Sequence, residues 1–484
     1  MTDGRRRIAV IGGGITGLSA AYYAKRLARE QGADVEITII EQSGRLGGKI
    51  RTLHRDGCVI EQGPDSFLAR KRPIIDLTNE LGISGELVAL NPSGRQTYMM
   101  RRGKLHPMPD GLMLGIPTKL MPFVKTGLIG PFGKLRAAMD IVLPRRSDPG
   151  DESLGDFLRR RLGSDVLDHI AEPLLAGIYA GDTSQLSLRA TFPQFQELER
   201  KHRSLMLGMM KSRLQPPPRG VASPLPEAVR GSMFLSYKRG LGTLVEALSE
   251  EMSGCRQLLG REVASLSRAD QGVRVRFGDG GEETFDAAIV AVPNYAAAAM
   301  LPPEAAAREL IDIPYASVAN VVLAFRASDV SGAMAGSGFL VPKDEGLAIT
   351  ACTWTSAKWG HTAPAGLALL RCYVGRSGDQ RALALDDGEL EAAVRADLRR
   401  TMGITAVPQF VEITRWERSM PQYPVGHLDR LRHFRAELAD VLPGVYTAGS
   451  GYEGVGLPDC IGQGKQAAEL AVEYALTGAP ERCR

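Results

Sequence analysis

Short uncharged runs alternate along this chain with longer amphipathic stretches, the pattern of a protein that mixes strands and helices. Near the amino terminus, Ile8-Ala9-Val10-Ile11 carries no charge, as a parallel strand buried on both faces requires. A helix is expected from residue 18 to about residue 29. A second strand, Val35-Glu36-Ile37-Thr38-Ile39-Ile40, is closed by Glu41. Helical periodicity returns at 153–161, 389–402 and 464–476, with Asp151 or Ser153 capping the first of these. Strand patterning marks 273–277, 287–292, 318–325 and 367–374. The run 287–292 stops at Pro293 and reads as a core strand returning to the amino-terminal unit. The pattern predicts an α/β fold whose first domain is assembled from separate stretches of chain.

Composition narrows the possibilities. At 484 residues, 44% hydrophobic and 24% charged, the chain has the length for two or three domains with large cores. A net charge of +4 gives no argument for nucleic acid. Six cysteines, at 58, 255, 352, 372, 460 and 483, never fall at CxxC spacing. They read as reduced thiols in a cytoplasm and indicate no metal. Arg5-Arg6-Arg7 and Ala20-Ala21 imitate a signal peptide, but cleavage there removes the glycine turn described next, so the likeness is read as coincidence. Residues 112–132 are too broken to span a bilayer, interrupted by Lys119, Lys125 and the prolines at 117, 122 and 131. Their Leu, Met, Phe and Lys suit core, a substrate entrance or a peripheral membrane contact. The proline-rich stretch from Gln215 to Pro226 reads as an exposed loop.

Two pieces at opposite ends carry the chemistry. Gly12-Gly13-Gly14-Ile15-Thr16-Gly17 follows the first strand directly. Gly12 permits a tight turn, Gly14 lets backbone approach a pyrophosphate, and Gly17 lets the helix pack on the strand. The helix then offers its amino terminus to the phosphates. Glu41 stands where an acid binds ribose hydroxyls. This piece alone suits NAD or FAD, and a ligand-free structural turn is the bland alternative. Gly44-Arg45-Leu46-Gly47-Gly48-Lys49 favours FAD, because it supplies a second glycine approach and two cations for the same pyrophosphate. The other piece is Tyr446-Thr447-Ala448-Gly449 with Gly454-Val455-Gly456. Neither a Ser-His-Asp motif nor HExxH is present, and the seven histidines are dispersed, so the difficult step is left to the cofactor.

The order of GGGITG, Glu41, GRLGGK and Gly63-Pro64-Asp65-Ser66-Phe67 resembles the flavin amine oxidase superfamily. Leu105-His106-Pro107-Met108-Pro109, the run from Glu172 to Asp182, and the run from Tyr452 to Ile461 look like the porphyrinogen oxidases of haem synthesis. The likeness runs end to end and is greatest to the Gram-positive bacterial type. It implies an amine-oxidase-like fold: a Rossmann-like FAD-binding domain, a substrate domain with a mixed sheet, and a helical insertion. The expected division is 1–92, 232–298 and 437–484 for FAD, 93–112, 205–231 and 299–436 for substrate, and 113–204 for the helices.

By that resemblance, coproporphyrinogen III is oxidised to coproporphyrin III by six electrons in three rounds, and protoporphyrinogen IX is also accepted. Hydride goes to the flavin N5 and the electrons pass to O₂. Gly12, Gly13, Gly14, Ile15, Thr16 and Gly17 would hold phosphates, and Glu41 and Gln42 the ribose end. Arg45, Gly48 and Lys49 would flank the pyrophosphate, and Gly63, Pro64, Asp65 and Ser66 would pass near the flavin ring. Val263 matches an adenine contact and Trp416 an aromatic near the flavin. Gly449, Val455, Gly456 and Leu457 match the segment over the ring's pyrimidine side.

For the macrocycle the resemblance points to Gly177, whose backbone is also the one catalytic candidate, and to Ile178, Tyr373 and Ile349. Many eukaryotic relatives carry an arginine where this chain has Thr97, so Lys71 is assigned to a substrate carboxylate, with Arg70, Arg72 or Arg95 in reserve. A transient contact with ferrochelatase is a further expectation. An amine or polyamine oxidase, and a non-enzymatic porphyrin carrier, are the rival readings.

Overall fold

Ile8, Ala9, Val10 and Ile11 are buried because strands flank them on both sides and helices or a second sheet cover both faces. The computed structural model describes residues 5–214, 223–305, 313–330, 332 and 334–478. The strand Arg6–Ile11 is central in a five-stranded sheet. In spatial order its members are Arg256–Leu259, Val35–Glu41, Arg6–Ile11, Ala287–Val290 and Val445–Thr447, all parallel. The start, middle and end of the chain therefore build one nucleotide sheet, as the Pro293-terminated run suggested. The helices Ile15–Glu30 and Leu457–Thr477 pack together on one face. The other face is covered by a three-stranded antiparallel sheet, Val263–Arg268, Val273–Phe277 and Glu282–Phe285, and by the helix His427–Val441.

A second sheet has seven strands: Phe410–Pro421, Tyr315–Arg326, Leu367–Val374, Ile349–Trp354, Gly338–Leu340, Thr97–Arg101 and Lys104–Pro107. It is mixed, since Gly338–Leu340 runs parallel to Thr97–Arg101 and the other pairs are antiparallel. One face packs on the helix Asp387–Met402 through Leu390, Val394 and Leu398. A third core is helical and gathers Phe157, Ile170, Leu175, Phe195 and Met206. At its heart Arg161 and Asp140 are both fully buried, 2.5 Å apart.

Local rules explain where the expected elements begin and end. Ser153, not Asp151, caps Leu154–Leu162, its Oγ accepting from the Asp156 N–H at 3.0 Å. Asp151 instead accepts from the Ser187 hydroxyl and the Gly426 N–H. The helix Asp387–Met402 starts earlier than its apolar period, at a capping box of Asp386 and Glu389. The expected helix at 464–476 is the end of Leu457–Thr477, whose first turns hold Pro458, Gly462 and Gly464 and so lack helical patterning. The strand Phe410–Pro421 was not expected, because Arg415, Glu417 and Arg418 interrupt its apolar positions. Residues 112–132 fold as the hairpin Leu112–Met113/Ile116–Pro117, then Leu120–Lys125 and the start of Pro131–Ala138. Of the expected loop from Gln215 to Pro226, residues 215–222 lie outside the described residues, as do Cys483 and the last six positions of the chain. Among the described residues no helix is long and apolar enough to cross a membrane.

Candidate functional site

The two glycine stretches lie side by side. Gly47 N–H donates to the Gly13 carbonyl at 2.8 Å, and Gly14 bridges Gly47 in parallel. Gly12 turns the chain with φ +108°. A Cβ on Gly17 would stand 1.8 Å from the Gly12 carbonyl oxygen, so only glycine lets this helix start where it does. A Cβ on Gly14 would meet only the Gly48 Cα, at 4.0 Å, which leaves that side of the turn open to a ligand. Gly14 caps the helix Ile15–Glu30 without a side-chain bond, and the first turn has no acid. The free N–H groups and the dipole are therefore available to an anion.

The far end of the chain lands on this helix start. A Cβ on Gly464 would come within 2.5 Å of the Thr16 carbonyl oxygen, and one on Gly449 would meet Thr16 Oγ1 at 3.7 Å. Burial pushes the Cys460 thiol up to about 11, against the pull of the Thr16 hydroxyl and the Lys49 ammonium. Gly456 caps the helix Leu457–Thr477, Leu457 packs on the nucleotide core, and Val455 packs on the helical core.

Glu41 ends its strand with both carboxylate oxygens engaged, Oε2 by the Gly13 N–H at 2.6 Å and Oε1 by the Ser43 N–H at 2.7 Å. The Gly260 and Arg261 N–H groups donate to the Ser43 and Glu41 carbonyls, which places Val263 just beyond Glu41. Gln42 is exposed. Arg45 donates to the carbonyls of Leu46, Gly48 and Ile50, bracing its own loop. Lys49 reaches the Ser419 carbonyl, and burial pulls its ammonium down to about 8.

The loop from Gln62 to Ser66 is pinned from the seven-stranded sheet. Trp416 Nε1 and Asn320 Nδ2 donate to the Gln62 carbonyl at 2.6 and 2.7 Å, and Arg371 donates to the Gly63 carbonyl. A Cβ on Gly63 would be 1.8 Å from the Lys49 carbonyl oxygen, so this loop lies directly against the second glycine stretch. Pro64 stands between Gly63 and Asp65. Asp65 accepts from Ser66 Oγ at 2.6 Å and faces Lys358 Nζ at 3.3 Å. Burial opposes its charge, but Lys358 and Arg371 together hold its carboxyl down to about 2. Arg371, Lys358 and Asn320 were missed by sequence reasoning. The one signal was an arginine inside the apolar strand Leu367–Val374.

The macrocycle candidates separate. Tyr373 shares a strand face with Arg371, whose guanidinium lies 4.9 Å from its ring. Burial pushes the Tyr373 phenol up to about 12. Gly177 and Ile178 are exposed on the helix Glu172–Tyr179, and a Cβ on Gly177 would meet nothing within 4 Å among the described residues. Ile349 differs from its expected place. The pairing register shifts between Ile349 and Ala351, so Ile349 pairs with Val374 and points into the core, on the face opposite Tyr373. Lys71 is engaged by Asp459 at 2.7 Å and Arg72 by Asp76 at 2.9 Å. Arg70 and Arg95 are exposed. Thr97 bonds Ser337.

From Glu41 and Val263, across the paired glycine stretches, to the loop at Gly63 and the start of the last helix, the site follows the carboxyl ends of the parallel strands. That is where dinucleotides bind in such sheets. Close backbone approach, an uncapped helix start and a terminal acid fit a dinucleotide with a pyrophosphate. The profile of flavin-containing amine oxidoreductases matches residues 15–472. The chain is 45% identical to a coproporphyrinogen III oxidase of Bacillus subtilis (strain 168) over 99% of its own length and 100% of the relative's. It is 38% identical to the protein of that name from Staphylococcus aureus, over 96% and 99%. A solved structure from Exiguobacterium sp. 255-15, named as a candidate protoporphyrinogen oxidase, matches with TM-score 0.85 and 37% identity over 97% of this chain and 99% of that one. The chain belongs to the flavin-containing amine oxidoreductase family, and its cofactor is FAD.

Proposed function

We propose that this protein oxidises porphyrinogens in haem biosynthesis, with coproporphyrinogen III as the main substrate and protoporphyrinogen IX also accepted. The observation that carries the reading is 45% identity, across essentially both whole chains, to a protein named for that reaction. FAD, when bound, supplies the two-electron chemistry that each round requires. The chain's own residues bind and orient. The glycine junction and the uncapped helix hold phosphates, Glu41 accepts from ribose, and the loop at Gly63–Ser66 borders the ring. Gly177 and Ile178, exposed on their helix, suit a flat apolar ring, Tyr373 is assigned as a further wall, and Lys71 meets a rim carboxylate. O₂ takes the electrons.

The test is an anaerobic mixture of the holoenzyme with coproporphyrinogen III. Bleaching of the flavin absorbance, followed by porphyrin fluorescence once air is admitted, is expected. A flavin that stays oxidised with both porphyrinogens overturns the reading. Initial rates on the two substrates decide the preference, and faster turnover of protoporphyrinogen IX reverses the order.

The proposal extends to location. Phe132, Leu135, Met139 and Val142 recur at helical spacing and stand exposed, Phe132 by 87% and Val142 by 71%. Lysines at 119, 125 and 134 lie in or beside this segment. Such a face suits peripheral contact with an anionic bilayer, and transient contact with ferrochelatase would take up the product. Co-sedimentation with anionic vesicles, lost in Phe132→Glu, is the expected result.

A further inference from the structure

Behind the loop at Gly63–Ser66 lies a small cavity of about 20 Å³, room for about one water. Glu61, Asp65, Thr355, Trp359, His361 and Arg371 supply its polar lining. Four polar atoms of its lining residues are buried with no hydrogen-bond partner among the described residues: Arg371 Nε and Nη1, Trp359 Nε1 and Thr355 Oγ1. Arg371 and Trp359 are only 3% and 2% exposed. Such groups are costly if left unpaired, and polar cavities of this kind take up water. Arg371 Nη1 also stands 3.9 Å from Asp65 Oδ2, beyond a direct bond and within reach of a bridging water.

The charges around the cavity do not cancel without Glu61. Asp65 comes from the loop, Arg371 from the strand Leu367–Val374, and Lys358 and His361 from the segment that follows Trp354. One carboxylate against two cations leaves one positive charge, and an ionised Glu61 brings the cluster to neutrality. Glu61 accepts from the Leu241 N–H at 2.5 Å and from Thr52 Oγ1 at 2.9 Å, so its carboxyl is fixed in place. It directly precedes the residues whose carbonyls Trp416, Asn320 and Arg371 hold. His361, which also lines the cavity, is partly exposed.

We propose that this cavity is a hydrated proton store coupled to the cofactor site, in which Glu61 gains a proton when electrons arrive there and releases it when they leave. Burial pushes the Glu61 carboxyl up to about 7, although the Leu241 and Thr52 bonds and Arg371 oppose the shift. Burial also pulls the His361 imidazole down, against a bond with the Tyr237 backbone. Two electrons come from the substrate, and the negative charge they bring raises the affinity of Glu61 for a solvent proton. By linkage, a protonated Glu61 makes reduction easier in equal measure. Glu61 acts through the loop, as a positioning residue, and rests on the reading that Gly63–Ser66 borders the flavin.

The experiment measures the reduction potential of the bound flavin from about pH 6 to about pH 8 in wild-type holoenzyme and in Glu61→Gln, which keeps an acceptor for the Leu241 N–H and turns an amide donor toward Thr52 Oγ1. Wild type is expected to take up more protons per electron pair than the variant, by an excess that grows toward one as pH rises above about 7. Superimposed profiles overturn the proposal. Trp359→Phe, which removes one unpaired donor and keeps a ring, is expected to displace the same titration, and it serves if Glu61→Gln loses flavin. A Glu61 carboxyl band that titrates in the infrared while the potential ignores it overturns the coupling and the placement of the loop. Bleaching by coproporphyrinogen III in the same sample leaves the proposed reaction standing.

Discussion

The parallel nucleotide sheet and the seven-stranded sheet position their site residues by different means. In the first, backbone geometry decides: Gly17 lies where no Cβ fits, and Gly47 is bonded to Gly13. In the second, side-chain alternation decides. Arg371 and Tyr373 share one face, where Arg371 holds the Gly63 carbonyl, while Cys372 and Val374 face the core. A site made by backbone tolerates no substitution at a few points. A site made by register depends on every residue that sets the pairing.

The largest effect tests the first half of that contrast. Gly17→Ala should destabilise the fold by roughly 3 kcal/mol or more, because the new Cβ meets fixed backbone at 1.8 Å. Gly14→Ala should leave the melting temperature of the flavin-free protein unchanged, since its Cβ meets only a Cα at 4.0 Å. It should weaken FAD binding about tenfold or more, a cost of about 1.4 kcal/mol. Thermal melts and flavin titration separate the two. Equal loss of fold in both variants would erase the distinction between a packing glycine and a ligand glycine.

That distinction also explains what was legible in the sequence. The nucleotide half was readable because a strand, a glycine turn, a helix and a terminal acid follow one another locally. Even the distant strand Ala287–Val290 was readable, from its apolar run and Pro293. The other half was only partly readable. Simple alternation puts Ile349 on the face of Ala351, but the register shift between them turns it into the core, and no local residue type announces that shift. Arg371, Lys358 and Asn320 hold the loop at Gly63 across more than 250 positions of chain, a relation that spacing does not carry. Lys71 was readable as a cation, but its pairing with Asp459 joins positions 388 apart.

The next effect is set by pH and tests where the two sheets meet. The Glu61 carboxyl rises from an ordinary 4.5 to about 7 in the folded chain. Between those values the folded state holds a proton that the unfolded state releases, so stability falls as pH rises through this window. The loss is up to about 3 kcal/mol. Glu61→Gln should lack this component and match or exceed wild type above pH 7, as measured by urea unfolding. An unchanged pH slope in the variant would remove Glu61 from the account.

A smaller effect probes the open face. Gly177 is exposed in the helix Glu172–Tyr179, and its Cβ would meet nothing within 4 Å among the described residues. Gly177→Ala should therefore stabilise the fold by about 0.5–1 kcal/mol. If the macrocycle lies against this backbone, the same methyl should lower kcat/KM about tenfold, through a loss of about 1.4 kcal/mol of binding. A gain in melting temperature with unchanged kinetics would detach Gly177 from the substrate.

Lys71 gives the smallest effect and sharpens the comparison most finely, because its partner belongs to the nucleotide half. The Lys71–Asp459 pair is partly exposed, with side-chain exposures of 42% and 32%, and such pairs contribute about 0–1 kcal/mol. Asp459 lies in the first turn of the helix Leu457–Thr477, where the dipole favours an acid even without the lysine. Lys71→Ala should thus leave stability and FAD content nearly unchanged, and should raise KM a few-fold for the tetracarboxylate coproporphyrinogen III and less for a dicarboxylate. Asp459→Asn should act with the opposite sign, freeing the ammonium and lowering KM. If Asp459→Asn also raises KM, the ion pair itself is what shapes the entrance, and the substrate's cation lies elsewhere, with Arg70 and Arg95 the exposed alternatives.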